Sequence, residues 1–212
     1  MSETKKRELP STMRKALAVD AYITDNFVKA AEKFLAFRSL KTHYRALEIS
    51  CHGIVWIATW LAFIWIINSK HLYQMQVNFL IGLFTDILII AIIKALVRRR
   101  RPTPNTDIFG IGPDKFSFPS GHASRASFIV YFFINLWPVN YIFIPPLLAW
   151  SFSICLSRVL MRRHYLLDVV AGILFGIING ILIGTMYLTQ ETSTDLISWI
   201  SDEKLDGGEY HV

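Results

Sequence analysis

Five apolar stretches joined by short polar connections, at 49–67, 77–97, 123–137, 141–160 and 166–188, dominate this 212-residue chain. A run near ~20 apolar residues is the length of a helix that spans a bilayer, and a helix satisfies its own backbone hydrogen bonds in lipid. The pattern therefore predicts an all-α integral membrane helical bundle with about five spanning helices. The third stretch is short by itself and needs Ser120, Gly121 and His122 ahead of it. Segments this closely spaced make one bundle, flanked by an amphipathic N-terminal segment at 1–48 and an acidic, loosely ordered tail at 189–212, with the membrane domain at 49–188 between them.

The chain is 53% hydrophobic with a formal net charge of +6. Its basic residues flank the apolar segments, where they meet headgroups and set topology, so the expected partner is a membrane and not nucleic acid. Cys51 and Cys155 lie in or beside apolar segments without CxxC spacing and read as inert thiols. The opening MSETKKRELPSTMRK carries charge but no adjoining signal-type apolar core. From 17 to 40, Ile23, Phe27, Ala31 and Phe34 form a helical stripe, with Lys29, Lys33 and Arg38 elsewhere. That amphipathic helix either lies on the membrane surface or packs on the loops of a site. Lys5, Lys6, Arg7, Arg14 and Lys15, set against the acidic tail, place the N-terminus in the cytosol.

Polar residues gather at the ends of these segments. Lys94 and Arg101 bracket the end of the second, and Ser120, Gly121 and His122 open the third after a loop holding Pro102, Pro104, Gly110, Gly112 and Pro113. Ser157 and Arg158 close the fourth, while His164 and Asp168 open the fifth. If each helix crosses once, the three clusters emerge at one membrane face, which the charge bias makes cytosolic. Arg101 and Arg158 offer donor forks suited to phosphate oxygens, and Lys94 adds a compact charge. A helix start at Ser120–Gly121 adds free amide N–H groups and a positive dipole end. His164 and Asp168, four apart, share a helix face, so the carboxylate is expected to take one ring proton and leave the other nitrogen nucleophilic. His122, from another helix, is suited to protonating a leaving oxygen.

KALVRRRRP at 94–102, PSGH at 119–122 and SRVLMRRHYLLD at 157–168 resemble the three signature motifs of the type 2 phosphatidic acid phosphatase superfamily of integral membrane lipid phosphatases. The polar positions of those motifs are filled by Lys94, Arg101, Ser120, His122, Arg158, His164 and Asp168. The resemblance covers 50–188 and implies hydrolysis through a phosphohistidine at His164, with no metal and no cofactor. Within that superfamily, RRRRP and DKFSFPSGHASRA look most like the short polyisoprenoid (presqualene) diphosphate phosphatases. Isoprenoid diphosphates such as farnesyl, geranylgeranyl or presqualene diphosphate are the implied substrates, in endoplasmic reticulum or nuclear membranes. Phosphatidate, lysophosphatidate and sphingosine phosphate are the alternative substrates. The commoner family pattern has six spanning helices, whereas here only the amphipathic stretch precedes the first apolar segment.

Other residues have blander readings. Arg98, Arg99 and Arg100 read as interfacial topology anchors, as do Arg162 and Arg163. Asp86, mid-helix two turns before Lys94, reads as a buried hydrogen-bond partner. His43, His52, His71 and His211 have no partner motif and read as structural or solvated. A non-catalytic lipid-binding protein would not need every chemical position filled. A transporter would show more intramembrane charge than Asp86 and a more broken helix than Pro145-Pro146 hints at. The vanadium haloperoxidases share the oxyanion pocket by resemblance, but they are soluble, unlike five apolar segments. Oligomeric state is not legible.

Overall fold

The computed structural model describes residues 10–33, 41–103 and 115–200. These form α1 (Ser11–Glu32), α2 (Lys41–Ser50), α3 (Gly53–Ile66), α4 (Tyr73–Val97), α5 (Gly121–Tyr131), α6 (Ile144–Leu160), α7 (Leu166–Thr185) and α8 (Gln190–Ile200). Among the described residues the one strand-like feature is an isolated antiparallel bridge between Arg100 and Phe116. The chain is an all-helical membrane bundle.

Among the described residues, three helical stretches are long and apolar enough to cross a membrane: Lys70–Val97, Tyr141–Leu160 and Leu166–Thr185. The first apolar segment is instead a pair, His43–Ser50 and Gly53–Ile66, bent by 56°, which adds a fourth span if it is read as one broken helix. The third segment also departs from expectation. α5 has 11 residues and continues for 5 more as a π-helical turn, Phe132–Leu136, which leaves it short of a full span. The reason is its position. Every residue from Ala123 to Ile129 is buried, with α4, α6 and α7 packed around it, so protein and not lipid is its solvent.

Among the described helices, α5 and α7 make the most extensive contact. Gly172, Gly176 and Gly180 recur every fourth residue on α7, and a Cβ on them would stand 2.5 Å from the Ser120 carbonyl, 2.1 Å from the Ser124 carbonyl and 2.3 Å from the Tyr131 ring. Small residues at this spacing let two backbones touch where lipid supplies no hydrophobic drive for association. The consequence is positional: the N-terminus of α5 is pressed against that of α7.

Aromatic packing closes the other end. Trp60, Phe79, Phe128 and Phe132 belong to the largest buried cluster among the described residues, with the Trp60 and Phe79 ring centroids 4.1 Å apart. Nearer the middle, Asp86 accepts a hydrogen bond from Ser124 and pairs with Arg125 Nη2 at 3.4 Å, while Arg125 Nη1 donates to the Cys51 carbonyl at 2.8 Å. Asp86 is thus the buried partner its surroundings require, and α5 supplies its countercharge. Cys51 and Cys155 are free thiols.

Two terminal segments differ from expectation. Residues 190–200 are not loose: α8 lays Ile197 against Tyr73 and Val77 of α4, with Ser193 one turn earlier also buried. Asn78 clamps the approach, its Oδ1 accepting from the Leu188 N–H at 2.8 Å and its Nδ2 donating to the Leu188 carbonyl at 3.1 Å. One narrow buried stripe suffices, and the acidic composition around it conceals it; residues 201–212 lie outside the described set. At the other terminus α1 begins at Ser11 and turns Thr24 and Val28 inward, leaving Val19, Tyr22, Ile23 and Phe27 exposed. The face it turns to the bundle is mixed, with Asp20 and Thr24 beside the fully buried Val28, while most of the apolar stripe points outward. Phe34, Arg38, His211, Lys5, Lys6, Arg7, and the loop prolines and glycines from Pro104 to Pro113 lie outside the described residues.

Candidate active site

Where α5 meets α7, the expected polar residues come together. Ser120 caps α5 with its Oγ toward the Ala123 N–H, and its own N–H donates to the Asp168 carbonyl at 2.9 Å. Gly121 follows, where a Cβ would meet Ile90 at 3.3 Å. His122 turns its Nε2 to the Glu48 carbonyl at 3.1 Å. A carbonyl only accepts, so Nε2 carries the proton in this arrangement. The His52 ring stands edge-on to His122 with centroids 6.4 Å apart.

α6 and the turn after it bring the second group. Arg158, 1% exposed in the last turn of α6, donates from Nη1 to Glu48 Oε1 at 2.7 Å. The chain then reverses through Arg162, whose φ of 53° lies in the left-handed region. Asp25 of α1 braces Arg162 at 2.7 Å. His164 is held by its N–H on the Arg158 carbonyl at 3.2 Å. Its buried Nδ1 donates to the Ser117 carbonyl at 2.7 Å, and Asp168 Oδ2 stands at 3.8 Å. The Nδ1 proton therefore rests on a backbone carbonyl, with Asp168 behind it, rather than on the carboxylate as the i, i+4 spacing suggested. The physical reason is competition: Asp168 Oδ2 accepts the Tyr165 N–H at 2.9 Å, closing a capping box on α7, and Oδ1 is taken by Arg99 at 2.6 Å.

Electrostatics favour a neutral ring at His164. Burial pushes its pKa down to about 4, against the pull of the Asp168 contact, and the charges of Arg101 and Lys94 press in the same direction as burial. With the proton on Nδ1, the unprotonated nitrogen is Nε2, a lone pair available near neutral pH. Lys94 sits buried in the last turn of α4. Arg98 ends that helix in the left-handed conformation, φ 53°, and Arg101 beyond it is half-buried with Nε toward the Phe116 carbonyl at 3.4 Å. The Arg100–Phe116 bridge and the Ser117 N–H to Arg99 carbonyl bond at 2.8 Å hold this segment beside His164.

All eight expected site residues thus lie at one end of the bundle. Four further participants were not read from the sequence: Ser117, Glu48, Asp20 and Arg99. Arg99 is not an interfacial anchor. Its side chain is 9% exposed and it bridges Asp168 to Asp20 of α1. No spacing rule announces these contacts, since Asp20 and Glu48 lie in helices far from the motifs. The glycine repeat on α7 was a visible signal for the α5–α7 contact.

A membrane bundle that gathers two histidines and several buried cations at one helix junction has the build of a membrane phosphohydrolase. Residues 75–192 match the PAP2 superfamily, more than half of the chain, and the chain belongs to that family of membrane lipid phosphatases. It is 31% identical over 192 residues to the probable lipid phosphate phosphatase beta of Arabidopsis thaliana, covering 78% of this chain and 87% of that protein. It is also 32% identical over 108 residues to the decaprenylphosphoryl-5-phosphoribose phosphatase of Mycobacterium tuberculosis, 50% of this chain and 57% of that one. Among solved structures the fold is shared with Aquifex aeolicus LpxE at a TM-score of 0.53 and 21% identity, covering 69% of this chain and 86% of that one. It is shared as well with a PAP2-type phosphatidylglycerolphosphate phosphatase of Bacillus subtilis, TM-score 0.51 and 21% identity, covering 79% and 94%. The family expected from the three motifs is the family found.

Proposed function

We propose that this chain hydrolyses lipid phosphates through a covalent phosphohistidine, with polyisoprenoid diphosphates as its preferred substrates. His164 Nε2 attacks phosphorus, the bond from phosphorus to the lipid-side oxygen breaks, and His122 supplies a proton to that oxygen where it needs one. Water then cleaves the phosphorus–nitrogen bond and releases phosphate. Lys94, Arg101, Arg158 and the α5 amides at Ser120–Gly121 stabilise the charge on the transferring group. Asp168 steadies the ring from behind. The observation that carries this reading is the 2.7 Å contact from His164 Nδ1 to the Ser117 carbonyl, which leaves Nε2 as the lone pair.

Support for a polyisoprenoid lipid comes from the run DKFSFPSGHASRA and from a relative whose name specifies a decaprenylphosphoryl compound, while the diphosphate itself rests on the run alone. A broad lipid phosphate specificity has its own support in the Arabidopsis relative's name. The deciding experiment is phosphate release from farnesyl diphosphate, phosphatidate and sphingosine phosphate by the detergent-solubilised protein, with acid-labile phosphoenzyme trapped in parallel. Turnover fastest on farnesyl diphosphate is expected. No release from any of them would return the chain to a non-catalytic lipid-binding or transport role.

The same reading sets α1 on the membrane surface, its exposed Val19, Tyr22, Ile23 and Phe27 toward lipid and Lys29 at the rim, with the site opening to the cytosol in endoplasmic reticulum or nuclear membranes. A protease-sensitive tag inserted after Thr103 in sealed microsomes is the expected result; protection of that tag while an N-terminal tag is cut would place the site in the lumen.

A further inference from the structure

Two groups lie nearest the Nδ1 edge of His164, the Ser117 carbonyl at 2.7 Å and Asp168 Oδ2 at 3.8 Å, and Arg99 holds both. Its main-chain carbonyl accepts the Ser117 N–H at 2.8 Å, and its Nη1 donates to Asp168 Oδ1 at 2.6 Å. The second arm of the guanidinium, Nη2, donates to Asp20 Oδ2 on α1 at 2.6 Å, and its plane lies over the Tyr165 ring, 4.0 Å from the centroid. Asp20 Oδ1 in turn accepts the Leu167 N–H at 3.1 Å, and Thr24 Oγ1 accepts that of Leu166 at 3.1 Å. α1 therefore covers the first amides of α7 and grips the arginine that grips Asp168.

The arrangement has a chemical consequence. A buried carboxylate without a countercharge favours the protonated form of a neighbouring imidazole, and an imidazolium has no lone pair to attack with. A guanidinium can satisfy two carboxylates at once through its planar fork, whereas an ammonium is a single point charge. We propose that Arg99 is a positioning residue for His164, and that Asp20 makes α1 part of the active centre by anchoring the far side of that guanidinium; the proposal rests on His164 as the nucleophile. Arg99 fixes where Asp168 and Ser117 stand, and it offsets the Asp168 charge that would otherwise reach His164.

The test compares kcat, KM and the pH profile of kcat/KM for the full chain in detergent, with Arg99→Ala, Arg99→Lys and Asp20→Asn beside a His164→Ala reference. His164 faces Asp168 on α7, Lys94 on α4, Arg101 after α4 and His122 on α5, and all four remain in each variant except the reference. Wild type is expected to lose activity on the acid side only as pH falls toward about 4. Arg99→Ala should lower kcat about tenfold or more with a smaller change in KM, and its acid limb should move up toward the ordinary imidazole range. Arg99→Lys should return the acid limb to its place while recovering only part of kcat. Asp20→Asn should lower kcat by less than Arg99→Ala and leave the acid limb where it is. An unmoved acid limb in Arg99→Ala, or one that Arg99→Lys fails to return, reduces the residue to structural support and overturns the proposal. If Arg99→Ala does not fold, wild-type kcat in both Arg99→Lys and Asp20→Asn overturns it. A His164→Ala protein that still forms phosphoenzyme would sink the nucleophile assignment instead.

Discussion

Arg158 and Glu48 form an ion pair between α6 and α2, with Nη1 donating to Oε1 at 2.7 Å and the arginine 1% exposed. The Glu48 main-chain carbonyl simultaneously receives His122 Nε2 at 3.1 Å. A carboxylate on this guanidinium occupies a donor that a phosphoryl oxygen would use. Substrate must share that donor or displace the carboxylate. Glu48→Gln keeps a hydrogen-bonding group on Arg158 but removes the competing charge. We expect KM and the inhibition constant of vanadate to fall roughly three- to tenfold, a change of up to about 1.4 kcal/mol, with kcat within twofold of wild type. A rise in KM would mean that Glu48 orients Arg158 for phosphate and does not compete with it.

The two histidines are separable by leaving group. A diphosphate expels a phosphate monoester, a weak base, whereas a lipid monophosphate expels an alkoxide that needs a proton in the transition state. His164→Ala is expected to abolish hydrolysis of both, together with the phosphoenzyme. His122→Ala should depress phosphatidate hydrolysis by a larger factor than farnesyl diphosphate hydrolysis, read under single-turnover conditions. Equal losses on the two substrates would assign His122 to phosphate binding.

Positive charge at the site comes from Lys94, Arg101 and Arg158, the role a metal ion fills in other phosphohydrolases. Activity is therefore expected to survive EDTA and to be inhibited by vanadate. Inactivation by EDTA with recovery on adding magnesium would contradict the mechanism.

Close approach of α5 and α7 depends on Gly176, where a Cβ would lie 2.1 Å from the Ser124 carbonyl. Gly176→Ala gains the better helix propensity of alanine, at most about 1 kcal/mol, but the main-chain oxygen it meets cannot swing aside. A net destabilisation of about 1–3 kcal/mol is expected, as for other overpacked interiors. Thermal unfolding in detergent measures it, and an unchanged midpoint would show that the two helices can part without loss.

Much of the site was readable along the chain because its chemistry is local. Pro119-Ser120-Gly121-His122 carries its own cap and helix start, and the four-residue spacing brings His164 beside Asp168, although His164 stands in the turn before α7 and not on its face. Apolar run lengths likewise determined the all-helical membrane fold. Yet the third run, which looks like a span cut short, is a buried central helix, and only its neighbours reveal that. α8 was hidden in an acidic tail because a stripe as narrow as Ser193 and Ile197 is lost in the composition around it.

What the sequence alone determined is the all-helical membrane fold, the family and the motif residues that gather at the site. Tertiary structure decided how those residues are partnered. Asp168 is drawn by Arg99 and the Tyr165 amide, so Ser117 takes the His164 proton; Glu48 answers Arg158; and Asp20 ties α1 to the site. Each of these contacts, apart from the Tyr165 cap, joins residues 47 or more positions apart, as Ser117 and His164 are. Periodicity describes which face of one helix is apolar. The rotation and approach that choose a side chain's partner are set by the packing of all the helices together, through glycines such as Gly172 and Gly176 that let the backbones touch.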